Sequence, residues 1–211
     1  MPKTSRGAIH GSRSARGQAM VEFALVLPLL MVLLLGIADF GRIFTAGITL
    51  EAATRDGAEA AALERLRVKP TTPGDPAYYA RLHKIAADTV CKESRVLPNT
   101  TFDAASGTCP SMPVVAVCVQ DGADPACGSL APGYVGPLPA ECAALSSGWT
   151  VASGGIVASH SVEVRACYHF TTLMNLHLSL PFGSSISVGD IWLLKTRTFI
   201  VDCPVGDPSG C

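Results

Sequence analysis

The chain has 211 residues and a formal net charge of −1, enough for one moderate domain plus an anchor. Four of its 16 basic residues, Lys3, Arg6, Arg13 and Arg16, fall within the first 17 positions, which hold none of the 17 acidic residues. The body is therefore net acidic, which argues against nucleic acid as a partner.

Taken in chain order, residues 1–17 are a basic leader. Residues 19–38 then read AMVEFALVLPLLMVLLLGIA, with Glu22 the one charge. About 20 apolar residues in a helix span the roughly 30 Å hydrocarbon core of a bilayer. The basic leader predicts a cytoplasmic N-terminus and a body on the outer side. Glu22 is the anomaly, because an ionisable group in a span is costly unless it is interfacial or paired. Pro28 removes one backbone hydrogen bond and is expected to kink the span.

The helical pattern continues to Val68, and the sequence meets no further proline until Pro70. Phe40, Ile43, Phe44, Gly47, Leu50, Thr54, Gly57, Ala58, Ala61 and Ala62 recur at steps of three and four, which marks one helix face. Gly47, Ala52, Ala53, Gly57, Ala60 and Ala61 allow close approach of another backbone. Two roles fit them: packing against helices of other subunits, and packing against the outer domain of this chain.

The run PTTPGDP at 70–76 breaks the pattern. A short amphipathic helix is predicted over Tyr78–Cys91, with Tyr78, Leu82, Ile85, Ala86 and Val90 as its apolar face. Strands are predicted at Val114–Val119 and Ser161–Phe170. In the second, Val162, Val164, Ala166 and Tyr168 alternate with Glu163, Arg165, Cys167 and His169. Residues 186–201 predict a hairpin or paired strands, with Gly189-Asp190 as a turn or bulge. Residues 120–156 are rich in Gly, Pro, Ala and Ser and read as a long loop pinned by disulfide.

The eight cysteines are Cys91, Cys109, Cys118, Cys127, Cys142, Cys167, Cys203 and Cys211. All follow the apolar run, the number is even, and none forms a C-x-x-C pair. This pattern fits disulfides in an oxidising compartment, with up to four bridges of open connectivity. The expected fold is α+β: a long N-terminal transmembrane-plus-extension helix packed on a small antiparallel β-sheet domain stabilised by disulfides. The expected divisions are a leader at 1–17, the transmembrane-plus-extension helix at 18–69 and an extracytoplasmic domain at 70–211.

Residues 16–23, RGQAMVEF, resemble the processing signal of type IV prepilins, in which a membrane peptidase cuts after the glycine. Gly17, Glu22 and Phe23 match that signal residue by residue. The longer stretch GQAMVEFALVLPLLMVLLLGIADFGRIF, followed by Arg55-Asp56-Gly57-Ala58, is similar to the TadE-like pseudopilins of Tad (tight adherence) pilus systems. Val21, Ala24, Leu25 and Pro28 complete the matching positions. Val162, Val164, Tyr168 and Phe170 resemble the family's late strand, with the spacing changed by two residues.

The resemblance implies a minor pilin or pseudopilin, cut between Gly17 and Gln18, serving filament assembly and surface adherence. It further implies a prepilin peptidase, other pilin subunits and an assembly platform as partners. Localisation would be the cytoplasmic membrane, with a place in an extracellular pilus as a further stage. Glu22 would neutralise the new α-amine of a neighbouring subunit within lipid and so set axial register. A Gln18 terminus can also cyclise to pyroglutamate, which removes that positive charge.

No catalytic residues, metal or cofactor are expected. His160, Cys167 and His169 lack paired metal-ligand spacing, and Asp121, Asp124 and Glu141 lack a calcium-loop pattern. Neither a G-x-S-x-G motif nor a phosphate-binding glycine loop is found. Two other functions remain open: an uncleaved anchored domain acting as a binding or scaffold module, and a secreted disulfide-rich protein cut after Gly36-Ile37-Ala38.

Overall fold

The computed structural model describes residues 13–68, 75–121, 124–128, 134–149, 160–179 and 185–201. Helix α1 runs Arg13–Arg67 and helix α2 Pro76–Ser94. Strands are β1 (Val114–Asp121), β2 (Asp124–Gly128), β3 (His160–Ser179) and β4 (Ser185–Val201), with a 3-10 helix at Ala140–Ser146. The observed class is α+β with one antiparallel sheet in the order β2-β1-β3-β4. By contacts the chain divides into two units, Met1–Gly41 and Arg42–Cys211. The proline-rich break at 70–76 falls largely outside the described residues.

Local chemistry explains the helices. The alanine-rich stretch 52–62 of α1 has strong helix propensity. Arg65 and Arg67 in its last turn complement the negative end of the helix dipole. At the start of α2, Asp75 Oδ1 accepts a hydrogen bond from the Ala77 N–H at 3.0 Å. Pro76 follows in the first helical position, where its missing N–H costs nothing.

The second unit contains the core. Leu50, Ala53, Ala58, Ala61 and Ala62 of α1 pack with Tyr78, Leu82, Ala86 and Val90 of α2. The same cluster takes Val115, Val117 and Val119 from β1 and Val162, Val164, Ala166, Tyr168 and Phe170 from β3. The predicted apolar face of α2 is therefore found, except that Ile85 is half-buried while Ala87 and Cys91 are inside. The Tyr168 hydroxyl donates to the Pro98 carbonyl. Burial pushes this phenol up to about 12 against the opposing charge of Arg42, so it stays protonated as a donor.

The other face of the sheet is covered as well, by residues too far apart in sequence to form a local pattern. Val114, Ala116 and Cys118 of β1 and Cys167 of β3 form a second cluster with Cys142, Leu145 and Trp149. Segment 120–156 is thus more than a loop. It supplies β2, the 3-10 helix and this apolar cover, while 150–159 lie outside the described residues. Three disulfides hold the unit: Cys91–Cys109 ties α2 to the following loop, Cys118–Cys127 links β1 to β2, and Cys142–Cys167 fastens the cover to β3. Cys203 and Cys211 lie outside the described residues.

Arg165 organises the cover. Its guanidinium pairs with Glu163 at 2.7 Å and donates to the Ala144, Ser147 and Gly148 carbonyls at 3.0, 2.6 and 2.7 Å. It also lies over the Trp149 ring, 4.3 Å from the centroid. Glu163 is fully buried, and this ring of donors and acceptors is what permits a charge pair there.

Strand β4 corrects the expected turn. It is continuous through Gly189-Asp190, and its pairing with β3 shifts register between Thr171 and Leu176. The bulge alternative is the one observed, because extra residues on β3 are accommodated opposite Gly189.

Candidate membrane and assembly segment

Every residue from Gly17 to Ala38 is exposed to the surroundings. These side chains include Phe23, Leu25, Leu29, Val32, Leu33 and Ile37. The apolar window has a mean hydropathy of 2.6, and among the described residues this is the one helix long and apolar enough to cross a membrane. An uninterrupted helix meets the requirement of lipid that each backbone polar group be satisfied internally. An exposed apolar surface of this extent needs a lipid or protein covering.

The predicted processing residues sit in this helix. Gly17 weakens helix by roughly 0.5–1 kcal/mol relative to alanine. Nothing stands within 4 Å of where a Gly17 Cβ would be. Glu22 sits one turn further on, and its Oε1 accepts from Gln18 Nε2 at 3.1 Å. Phe23 is exposed beside it, about 100° round the helix. Pro28 lies inside α1, which continues beyond it to Arg67.

The small residues of α1 divide between buried and open positions. Gly57 packs against α2: a Cβ there would stand 2.7 Å from Val90 Cγ2 and 2.9 Å from the Ala86 carbonyl oxygen. Ala53 and Ala61 are fully buried in the same core. Gly47 has nothing within 4 Å of a Cβ, and Ala52 is exposed.

Charges fasten α1 to its neighbours. Glu51 pairs with Lys195 of β4 at 3.3 Å and with Arg197. Glu64 pairs with Arg81 of α2 and with Arg67 at 3.7 Å. Arg42 stands over the Phe170 ring at 5.1 Å. These pairs were not legible from residue spacing, since they join positions up to 146 apart.

Among the described residues no three His, Cys, Asp or Glu side chains come together as a metal site. Cys167 is bridged to Cys142, and His169 stacks on Trp192 at 4.5 Å while contacting Asp190 at 2.9 Å. On α2, His83 Nε2 donates to the Ala126 carbonyl at 3.1 Å. Burial holds this imidazole below its ordinary value of 6.5, with the bond to Ala126 opposing the shift.

Comparison with known proteins places a family over this segment. Residues 17–59 match the family TadE, TadE-like protein. The match opens at Gly17, spans the exposed apolar helix and ends two residues past Gly57. No curated protein and no solved structure matches the chain. Over residues 17–59 the chain is similar to TadE-like proteins, and this match points to a Tad pilus-associated protein.

Proposed function

We propose that the chain is a minor pilin or pseudopilin of a Tad-type pilus. A prepilin peptidase cuts between Gly17 and Gln18. The exposed helix holds the processed subunit in the cytoplasmic membrane, with the disulfide-bonded unit outside. An assembly platform then moves it into a filament that serves surface attachment. The role is structural, with no catalytic chemistry of its own.

One observation carries this reading: the TadE-like match begins at Gly17, in register with Glu22, Phe23 and Pro28 on a fully exposed apolar helix. Cleavage leaves Gln18 as the new terminus four residues from Glu22, the spacing at which their side chains already meet. In a bundle of such helices, Glu22 is then available to the α-amine of a neighbour, and two opposite charges in that setting fix axial register. The bridges among Cys91, Cys109, Cys118, Cys127, Cys142 and Cys167 support an oxidising location for the outer unit.

The test is the mature N-terminus of protein from cells with an active prepilin peptidase, beside a Gly17→Ala variant. The proposal expects a start at Gln18, or its pyroglutamate, in the parent and an unprocessed chain in the variant. A parent that begins at Met1 or Pro2 supports an uncleaved anchor instead. A start at Asp39 supports secretion, although α1 runs through that point unbroken.

A further inference from the structure

Strand β3 runs through the second unit toward Arg42, the residue at which that unit joins the apolar helix. Arg197 of β4 pairs with Glu51, and the partner of Arg197 on β3 is Val164. Further along β3, the Phe170 ring lies under Arg42, 5.1 Å away. From Val164 to Phe170 the strand thus descends from the level of Glu51 to that of Arg42. Charge changes at this same level in both elements. On α1 the uncharged run 23–38 gives way to Asp39 and Arg42. In the sheet, Asp190 pairs with Thr171, next to Phe170, and from Thr171 to Gly189 the sequence holds no Asp, Glu, Lys or Arg.

Beyond that level the pairing of β3 with β4 sorts residues into two faces. Leu176 pairs with Val188 and Leu178 with Ile186, while His177 pairs with Ser187 and Ser179 with Ser185. Cross-strand partners share a face, and successive residues alternate between faces. By position, one face is wholly apolar and the other wholly polar. The base of these two arms is fastened: Asn99 Nδ2 donates to Thr171 Oγ1 at 2.9 Å, and Thr172 Oγ1 to the Gly189 carbonyl at 3.3 Å. Between base and arms, residues 172–175 stand opposite Gly189 alone, and a bulge bends the strand that carries it. Leu173, in the bulge, is more than half exposed.

We infer that the arms 176–179 and 185–188 make a second membrane contact, lying flat in the headgroup region of the bilayer that α1 crosses, with the apolar face toward the acyl chains. This rests on the membrane-anchored reading under the proposed function. The two faces suit a boundary between water and lipid, as those of an interfacial amphipathic helix do. Among the described residues neither arm has a second strand partner, so each leaves one row of N–H and C=O groups unpaired. The hydrocarbon core offers such groups nothing, whereas the headgroup region holds water, so the arms lie along the surface and do not pierce it. The bend at the bulge supplies the change of direction. A contact beside the span holds the outer unit at one tilt to the membrane.

The test uses the full-length chain in vesicles of phosphatidylethanolamine and phosphatidylglycerol, with a fluorescent amino acid placed singly at position 173, 178, 30 or 66. Leu30 lies in the middle of the apolar run, and Leu66 in the last turn of α1. Lipids brominated near the headgroup end of their chains should quench emission from 173 and 178. Lipids brominated near the methyl end should quench 30, and 66 should keep its emission with both. Leu176→Asp should abolish quenching at 178 and leave 30 quenched, with the three disulfides retained on non-reducing mass spectrometry. Full emission at 173 and 178 while 30 is quenched would overturn the hairpin contact alone. So would quenching at 178 that survives Leu176→Asp, or that is stronger with the deeper bromines. An unquenched 30 would remove the membrane-anchored reading itself, and the inference with it.

Discussion

Substituting Gly57 separates the packing argument from simple helix propensity. In a solvent-exposed helix, replacing glycine by alanine stabilises by roughly 0.5–1 kcal/mol. At Gly57 the added methyl would stand 2.7 Å from Val90 Cγ2 and 2.9 Å from the Ala86 carbonyl oxygen. Neither neighbour yields cheaply. Val90 is fully buried and stiff at χ1, and Ala86 presents backbone in the middle of α2. Overpacking of this kind costs about 1–3 kcal/mol, and a backbone obstacle puts Gly57→Ala in the upper part of that range. The net expectation is destabilisation of about 1–2 kcal/mol, or a Tm lower by about 3–6 °C for a chain of this size. Gly47→Ala is the internal control. It has nothing within 4 Å of its Cβ, so it should gain the propensity term and raise Tm by about 2–3 °C. The assay is thermal unfolding of the full chain in detergent, followed by circular dichroism. If both variants shift Tm upward by the same amount, α1 does not pack on α2 at Gly57 and the reasoning fails.

Three further outcomes are expected. Replacing Cys142 and Cys167 together by alanine opens a link across 25 residues, and the loss of loop constraint should cost about 3 kcal/mol in a denaturant titration. An unchanged midpoint would mean that the cover over the second sheet face contributes nothing. Arg165→Met takes the guanidinium away from the buried Glu163 carboxylate, which should cost about 3–5 kcal/mol and expose 140–149 to limited proteolysis; Glu163→Gln in the same chain should recover part of the loss. Equal protease resistance in parent and single variant would contradict this. Because burial lowers the pKa of His83, the unfolded chain binds the proton first as pH falls. Stability should therefore be complete above pH 6.5 and decline as pH drops below that value toward the folded pKa. Tm measured between pH 8 and pH 5 should fall more steeply in the parent than in His83→Gln, and identical slopes would count against a buried neutral imidazole.

What was legible in the sequence followed local periodicity. The span, the extension of α1, the apolar row of α2 and the strands at 114 and 161 all announce themselves through repeats of 3.6 or 2. The TadE-like positions were legible because Gly17, Glu22, Phe23 and Pro28 stand close together before an apolar run. Strand β2 was hidden because Asp124–Gly128 has no apolar alternation and exists through pairing with β1 and the Cys118–Cys127 bridge. The alternation in β3 suggested one buried and one exposed face, yet Glu163, Arg165 and Cys167 are also inside. The covering segment carries its key residues, Cys142, Leu145 and Trp149, too far apart to form a local pattern. For Gly57 the residue pattern allows two equivalent readings, and only the proximity of Ala86 and Val90 separates them.

The central claim is that this chain is a processed subunit of a pilus. The most direct measurement is mass spectrometry of filaments sheared from the cell surface and digested with a protease. The account predicts peptides from the disulfide-bonded unit together with a terminal peptide that begins at Gln18 or its pyroglutamate. Filaments that lack the chain, while the membrane fraction retains it with residues 1–17 still attached, would contradict it.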